Sequence, residues 1–142
     1  MENKNINIAI LGFGTIGSAT YNNIYKNRDL IAGKTGLLLN VVKVLEKEPE
    51  LFQGRVFDGC EITSDFSKIL KDKSISIVVE LMGGTTFAKE CVLKLLAAGK
   101  HVVTANKALI AENISQIHEA VLKSKASFFF EGAVAGGIPV IA

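Results

Sequence analysis

Gly12, Gly14 and Gly17 stand at a spacing that can hold a pyrophosphate. Within the run Gly12-Phe13-Gly14-Thr15-Ile16-Gly17, the first glycine permits a tight turn and the second lets the backbone approach phosphates. The third allows a helix to pack closely on a strand. Free N–H groups and the positive dipole end of the following helix then favour the anion. The same six residues occur as incidental turns, so their meaning depends on what lies on either side.

Three further segments carry residue types suited to chemistry. Met82-Gly83-Gly84-Thr85-Thr86 could let a nicotinamide ribose lie against the backbone with the Thr85 hydroxyl beside it, or could be a turn in which Thr85 or Thr86 caps a helix. Lys107, after Thr104-Ala105-Asn106, follows a strand end, where a lysine can bind a substrate oxygen or move a proton. A solvated lysine is the alternative at that position. Glu131-Gly132-Ala133-Val134-Ala135-Gly136-Gly137-Ile138-Pro139 is dense in small residues that can turn carbonyls inward toward a hard cation such as Na⁺. A tight crossover loop would have the same composition. His101 opens an apolar strand and reads as a strand-edge residue rather than a ligand; His118 falls on a polar helix face and reads as solvated. Cys60 and Cys91 form no CxxC pair and read as reduced thiols, not a disulfide or zinc site.

The elements that must position these groups alternate. Apolar runs predict strands over Ile6–Leu11, Leu37–Leu45, Ile75–Leu81, His101–Thr104 and Ser127–Glu131. Helical spacing predicts helices over Ile16–Asn27, Ser64–Leu70, Thr86–Ala98 and Ile114–Ser124. Ser64 or Asp65 suits a helix cap, and Gly99 sits where a helix-ending glycine belongs. Strands apolar throughout, Phe128, Phe129 and Phe130 among them, predict burial on both sheet faces. The sum is an α/β, Rossmann-type doubly wound, mainly parallel sheet with helices on both faces. Arg28 to Gly36 and Glu46 to Thr63 are expected to be surface loops.

Composition bounds the function. The 142 residues are 49% hydrophobic and 21% charged with a net charge of +2, as expected for one globular domain. Scattered basic residues without interleaved aromatics argue against a nucleic-acid partner. No apolar run reaches the ~18 residues of a membrane span, and Met1-Glu2-Asn3-Lys4 leads directly into a strand, so a cytoplasmic domain is expected. Three residues after Pro139 cannot complete the helix that Gly136-Gly137-Ile138-Pro139 begins. One domain over 1–142, with a substrate and dimerisation domain following it in a longer parent, is therefore expected.

Taken together, GFGTIG, then Glu80-Leu81-Met82-Gly83-Gly84, then GKHVVTANKAL (Gly99 to Leu109), then EGAVAGGIPVI (Glu131 to Ile141), resemble homoserine dehydrogenase, in that family's order. The resemblance implies a reversible oxidoreductase interconverting L-homoserine and L-aspartate 4-semialdehyde with NAD or NADP, on the route to threonine, methionine and isoleucine. It implies a cytoplasmic homo-oligomer, a dimer, acting on a small-molecule substrate. It assigns catalysis to Lys107. Cofactor binding is assigned to Gly12, Phe13, Gly14, Thr15, Ile16, Gly17, Glu46, Gly83, Gly84, Thr85, Thr104, Asn106 and Lys107. Glu131 is assigned to the substrate, and Glu131, Val134, Gly136 and Ile138 to a sodium ion.

One position departs from the pattern. Many family members end the second strand with Arg and an acidic residue, where this chain has Leu45-Glu46-Lys47. A carboxylate there bonds a ribose 2′-OH and repels a 2′-phosphate, so the expectation leans to NAD, although Lys47 opposes it. Another Rossmann dehydrogenase, acting on a sugar or amino acid, and a dinucleotide-sensing domain without catalysis are the competing readings.

Overall fold

The structure is a computed structural model that describes residues 2–57 and 59–130. In chain order the elements are β1 (Lys4–Leu11), α1 (Thr15–Lys26), α2 (Arg28–Thr35), β2 (Leu37–Leu45), a 3₁₀ turn (Pro49–Phe52), β3 (Glu61–Thr63), α3 (Ser67–Leu70), β4 (Ile75–Glu80), α4 (Thr86–Ala97), β5 (His101–Thr104), α5 (Lys107–Lys123) and β6 (Phe128–Phe129). The six strands form one sheet in the order β3-β2-β1-β4-β5-β6. Every adjacent pair is parallel. From β1 the chain winds outward to β3, then crosses back to β4 and winds the other way. That reversal leaves a crevice at the carboxyl ends of β1 and β4, where ligands of such sheets bind.

Alternation along β1 decides which helices cover which face. Ala9 and Leu11 join a core with Val78, Val102, and the α4 and α5 residues Cys91, Leu95, Leu109 and Ile117. Ile8 and Ile10 point the other way, to Val41, Val44, Phe13 and the α1 residue Tyr21. Both sides of β1 are thus sealed, as the apolar sequence of the strand requires. No helix among the described residues is long and apolar enough to cross a membrane.

Several expectations need correction. Arg28 to Gly36 is not a surface loop: residues Arg28–Thr35 form α2, with Asp29 in its first turn, Lys34 in its last and Gly36 closing it at φ 71°. Ala32 is its buried contact. Glu46 to Thr63 is not loop throughout, since it holds the 3₁₀ turn and the three-residue edge strand β3. The last helix starts at Lys107 rather than Ile114, because the Asn106 side chain caps it by accepting a hydrogen bond from Leu109 N at 3.0 Å. The Phe128–Phe130 run is not buried on both faces. Phe128 packs toward the α4–α5 core, whereas Phe129 remains 58% exposed on the opposite side of the edge strand β6. Ser127 and Phe130 lie outside β6.

Other expectations hold. β2 has the bounds read from the sequence. Gly99, at φ 77°, follows the last residues of α4 as a helix-ending glycine. His101 accepts a hydrogen bond from Ser127 N at its Nδ1, 3.0 Å away, as befits a strand-edge residue. His118 is exposed. The cap expected of Ser64 or Asp65 does not hold: α3 starts at Ser67 rather than Ser64, with Phe66 at its cap position and no side-chain cap bond, and Asp65 accepts from Ser67 N at 2.9 Å in the turn before it.

Candidate functional site

The glycine turn joins the carboxyl end of β1 to α1, and its geometry separates three roles. Gly12 has φ 91°, and a Cβ there would lie 2.9 Å from Leu81 O, so both conformation and space demand glycine. A Cβ on Gly17 would meet Gly12 O at 2.0 Å, which no side chain tolerates; this is the close helix–strand approach read from the sequence. Gly14 differs from both. Nothing among the described residues lies within 4 Å of its Cβ direction, and its φ of −71° lies outside the left-handed region. The fold does not need a glycine there, whereas a ligand lying against the backbone would. No side chain among the described residues caps α1, so its first turn keeps N–H donors for an anion.

Phe13 takes part through its backbone alone. Its ring is buried, packed edge-on against Tyr21 and Phe52 at centroid distances of 5.5 and 5.7 Å. Its N–H donates to Glu46 Oε2 at 2.9 Å, and Lys47 N donates to Glu46 Oε1 at 2.8 Å. The Glu46 carboxylate at the end of β2 therefore braces the glycine turn. Each of its oxygens still has acceptor capacity left for a further donor.

A cleft of about 300 Å³ opens beside the turn, lined by Ile16, Leu81, Met82, Ala105, Asn106 and Lys107. It unites three chain segments, after β1, β4 and β5, at the reversal of the sheet. Ile16 leaves 60% of its surface exposed there, an apolar wall for a flat ring. Lys107 is the first residue of α5 and is exposed. Gly83 and Gly84 are exposed, with Gly84 at φ 78°. Thr85 occupies the cap position of α4 without making a side-chain cap bond, which leaves its hydroxyl uncommitted.

Asn106 and Thr104 are busy elsewhere. Asn106 Nδ2 donates to Gly84 O at 2.7 Å and to Met82 O at 3.4 Å, across the cleft floor, while Oδ1 caps α5. Thr104 is buried; its hydroxyl donates to Glu80 Oε2 at 2.6 Å and accepts from Asn106 N at 3.0 Å. Sequence reasoning assigned no role to Glu80. This carboxyl is fully buried at the end of β4, and burial pushes it above the ordinary carboxylate range, against the opposing pull of the bonds from Thr104 and Met82 N. A charged residue ending a buried strand is the signal that could have found it.

Of the expected site residues, Ile16, Asn106 and Lys107 line the cleft, Gly84 is bonded to Asn106, Thr104 lies buried beneath it, and Glu46 reaches the glycine turn through Phe13 N. Glu131, Val134, Gly136 and Ile138, also expected in the site, lie outside the described residues.

Comparison with known proteins agrees with this fold. A family model described as homoserine dehydrogenase, NAD binding domain, matches residues 12–131. The homoserine dehydrogenase of Pseudomonas aeruginosa is 40% identical over 139 residues, covering 97% of this chain and 31% of its own length. That of Methylobacillus glycogenes is 44% identical over 108 residues, or 76% of this chain and 26% of its own. A homoserine dehydrogenase structure from Thiobacillus denitrificans superposes with a TM-score of 0.88 at 36% identity, over 96% of this chain and 32% of the other. The chain thus spans about a third of the length of these relatives at most.

Proposed function

The chain belongs to the homoserine dehydrogenase family, as its NAD-binding domain, and from that premise we propose that it holds a nicotinamide dinucleotide across the cleft beside β1 and β4. The observation that carries the reading is the uncapped start of α1 behind Gly14, the one glycine of the turn that the fold itself leaves free of contact. The α1 start behind Gly14 would hold the pyrophosphate, Glu46 the adenosine ribose, and Ile16, Met82 and Lys107 the nicotinamide half. When bound, NAD or NADP would supply the hydride acceptor for oxidation of L-homoserine to L-aspartate 4-semialdehyde in the full-length enzyme, with one proton released. Lys107, on the cleft rim, bonds the substrate oxygen or moves that proton. The substrate contact of Glu131, the sodium site at Glu131, Val134, Gly136 and Ile138, a dimeric parent and a cytoplasmic location rest on the family resemblance.

A domain spanning a third of its relatives supplies one wall of the active site. The purified 142-residue chain should therefore bind NADH or NADPH in a titration yet leave homoserine unoxidised with either oxidised cofactor. Positioning the substrate accounts for roughly 7–11 kcal/mol of barrier lowering in such reactions, and that positioning would be missing. Robust turnover by this chain would contradict the division of labour.

Glu46 favours NAD in this reading, because its carboxylate can accept from a ribose 2′-OH and repels a 2′-phosphate. Replacing it, Glu46→Ala, should shift the ratio of NADH to NADPH affinity toward NADPH by about tenfold, ~1.4 kcal/mol. An unchanged ratio would remove Glu46 from cofactor choice and leave it as a brace for Phe13 N alone.

A further inference from the structure

Glu80 is the most deeply buried charged residue beside the cleft, with 0% exposure, and no ion pair to it occurs among the described residues. Its two oxygens serve two different loops. Oε1 accepts from Met82 N at 2.7 Å, and Oε2 accepts from the Thr104 hydroxyl at 2.6 Å. Thr104 Oγ1 in turn accepts from Asn106 N, and Asn106 Nδ2 donates back to Gly84 O. The bonds close a ring: Glu80, the Met82–Gly84 loop, Asn106, Thr104, and Glu80 again. The ring ties the loop after β4 to the loop after β5, and it ends beside Lys107. The Gly12–Gly17 turn is not part of it; its own brace is Glu46.

We propose that Glu80 is a positioning residue for the nicotinamide half of the dinucleotide, fixing the Met82–Gly84 loop and the Asn106–Lys107 helix start at one separation across the cleft. This inference rests on the dinucleotide reading above. Two physical points support it. Both Glu80 oxygens act as acceptors, which is the pattern of an ionised carboxylate. Burial nevertheless disfavours that ionised form and raises the pKa of the carboxyl in the fold. A carboxyl with a raised folded pKa holds its proton more tightly folded than unfolded, so it favours folding when protonated and weighs against folding once ionised. A carboxyl whose ionised form contributes less to folding than its protonated form is a poor choice for a structural tie alone. Such groups concentrate where function needs them.

The two roles separate experimentally. In Glu80→Gln the amide still accepts from Met82 N, but its NH₂ now faces the Thr104 hydroxyl, whose proton loses its buried acceptor. The binding of NADH and of ADP to the 142-residue chain should be titrated beside its thermal unfolding. ADP probes the turn and the adenosine side without the nicotinamide. We expect NADH affinity to fall at least ~10-fold, ADP affinity to stay within about twofold, and the unfolding midpoint not to fall, since relief of a buried charge offsets the lost bond. Thr104→Val should reproduce the selective loss, Thr104→Ser should keep wild-type affinity, and the Glu80→Gln/Thr104→Val double variant should lose no more than either single one. Equal NADH affinity in Glu80→Gln overturns the proposal. Parallel losses of NADH binding, ADP binding and stability overturn it too, by making Glu80 a plain structural residue. A wild-type chain that binds ADP and NADH normally confines either failure to this proposal; one that binds neither removes the dinucleotide reading and the inference together.

Discussion

Replacing Lys107 with alanine in a full-length enzyme carrying this domain is expected to lower the rate of homoserine oxidation at least ~10²-fold, the lower end for a group that assists proton transfer. The expectation follows from placement. Asn106 caps α5 and fixes the backbone on which Lys107 is the first helical residue, and the side chain lines the cleft with Ile16 and Met82. Nothing else in the fold depends on it: Lys107 is exposed and belongs to no ion pair among the described residues. Unfolding should therefore change little while kcat collapses, and any loss of cofactor affinity through Lys107 is distinct from that fall in kcat. Steady-state kinetics at saturating cofactor separates the two. A near-normal rate would make Lys107 an ordinary solvated lysine.

The second large effect belongs to Gly14. A valine there points into open space, in an extended conformation that β-branched residues accept. Folding should survive, with the unfolding midpoint unchanged. The pyrophosphate, however, loses its approach to the α1 N–H groups. Two hydrogen bonds to a charged group are worth roughly 3–6 kcal/mol, so NADH affinity should fall at least ~10²-fold. Gly17→Val is the contrast. Its Cβ would collide with Gly12 O at 2.0 Å, so that variant should lose the fold along with the binding. Unchanged NADH affinity in Gly14→Val would detach the turn from the phosphates.

The sequence made much of this architecture legible because its longer elements carry a clear period. β2 emerges at its observed ends, since nine residues of almost unbroken apolar character admit no other reading. α2 was hidden by its brevity and low apolar content: eight residues with one buried side chain, Ala32, give no stripe to detect. Its Asp29, Lys34 and Gly36 were end signals without a body between them. β3 is shorter still, three residues paired with β2. The site was legible where glycine spacing and the Thr104–Lys107 run imposed it locally. Glu80 was not, because its meaning lies in a hydroxyl 24 residues away, and pairing across a sheet leaves no trace in local periodicity. The two carboxylates that brace the site, Glu46 and Glu80, both act on backbone amides of loops. Such bonds depend on where a turn passes in space, and only the assembled sheet specifies that.

In the proposed arrangement a dinucleotide lies across the reversal of the sheet, with its phosphates on the α1 start. The most direct measurement is a titration of NADH into the isotopically labelled 142-residue chain, followed amide by amide by NMR. The account predicts saturable shifts confined to residues 12–17, Glu46 and Lys47, 82–85 and 104–109, with the β2–β3 edge beyond Lys47 and the outer turns of α4 and α5 unmoved. No saturable shift, or shifts gathered anywhere other than this cleft, would contradict it.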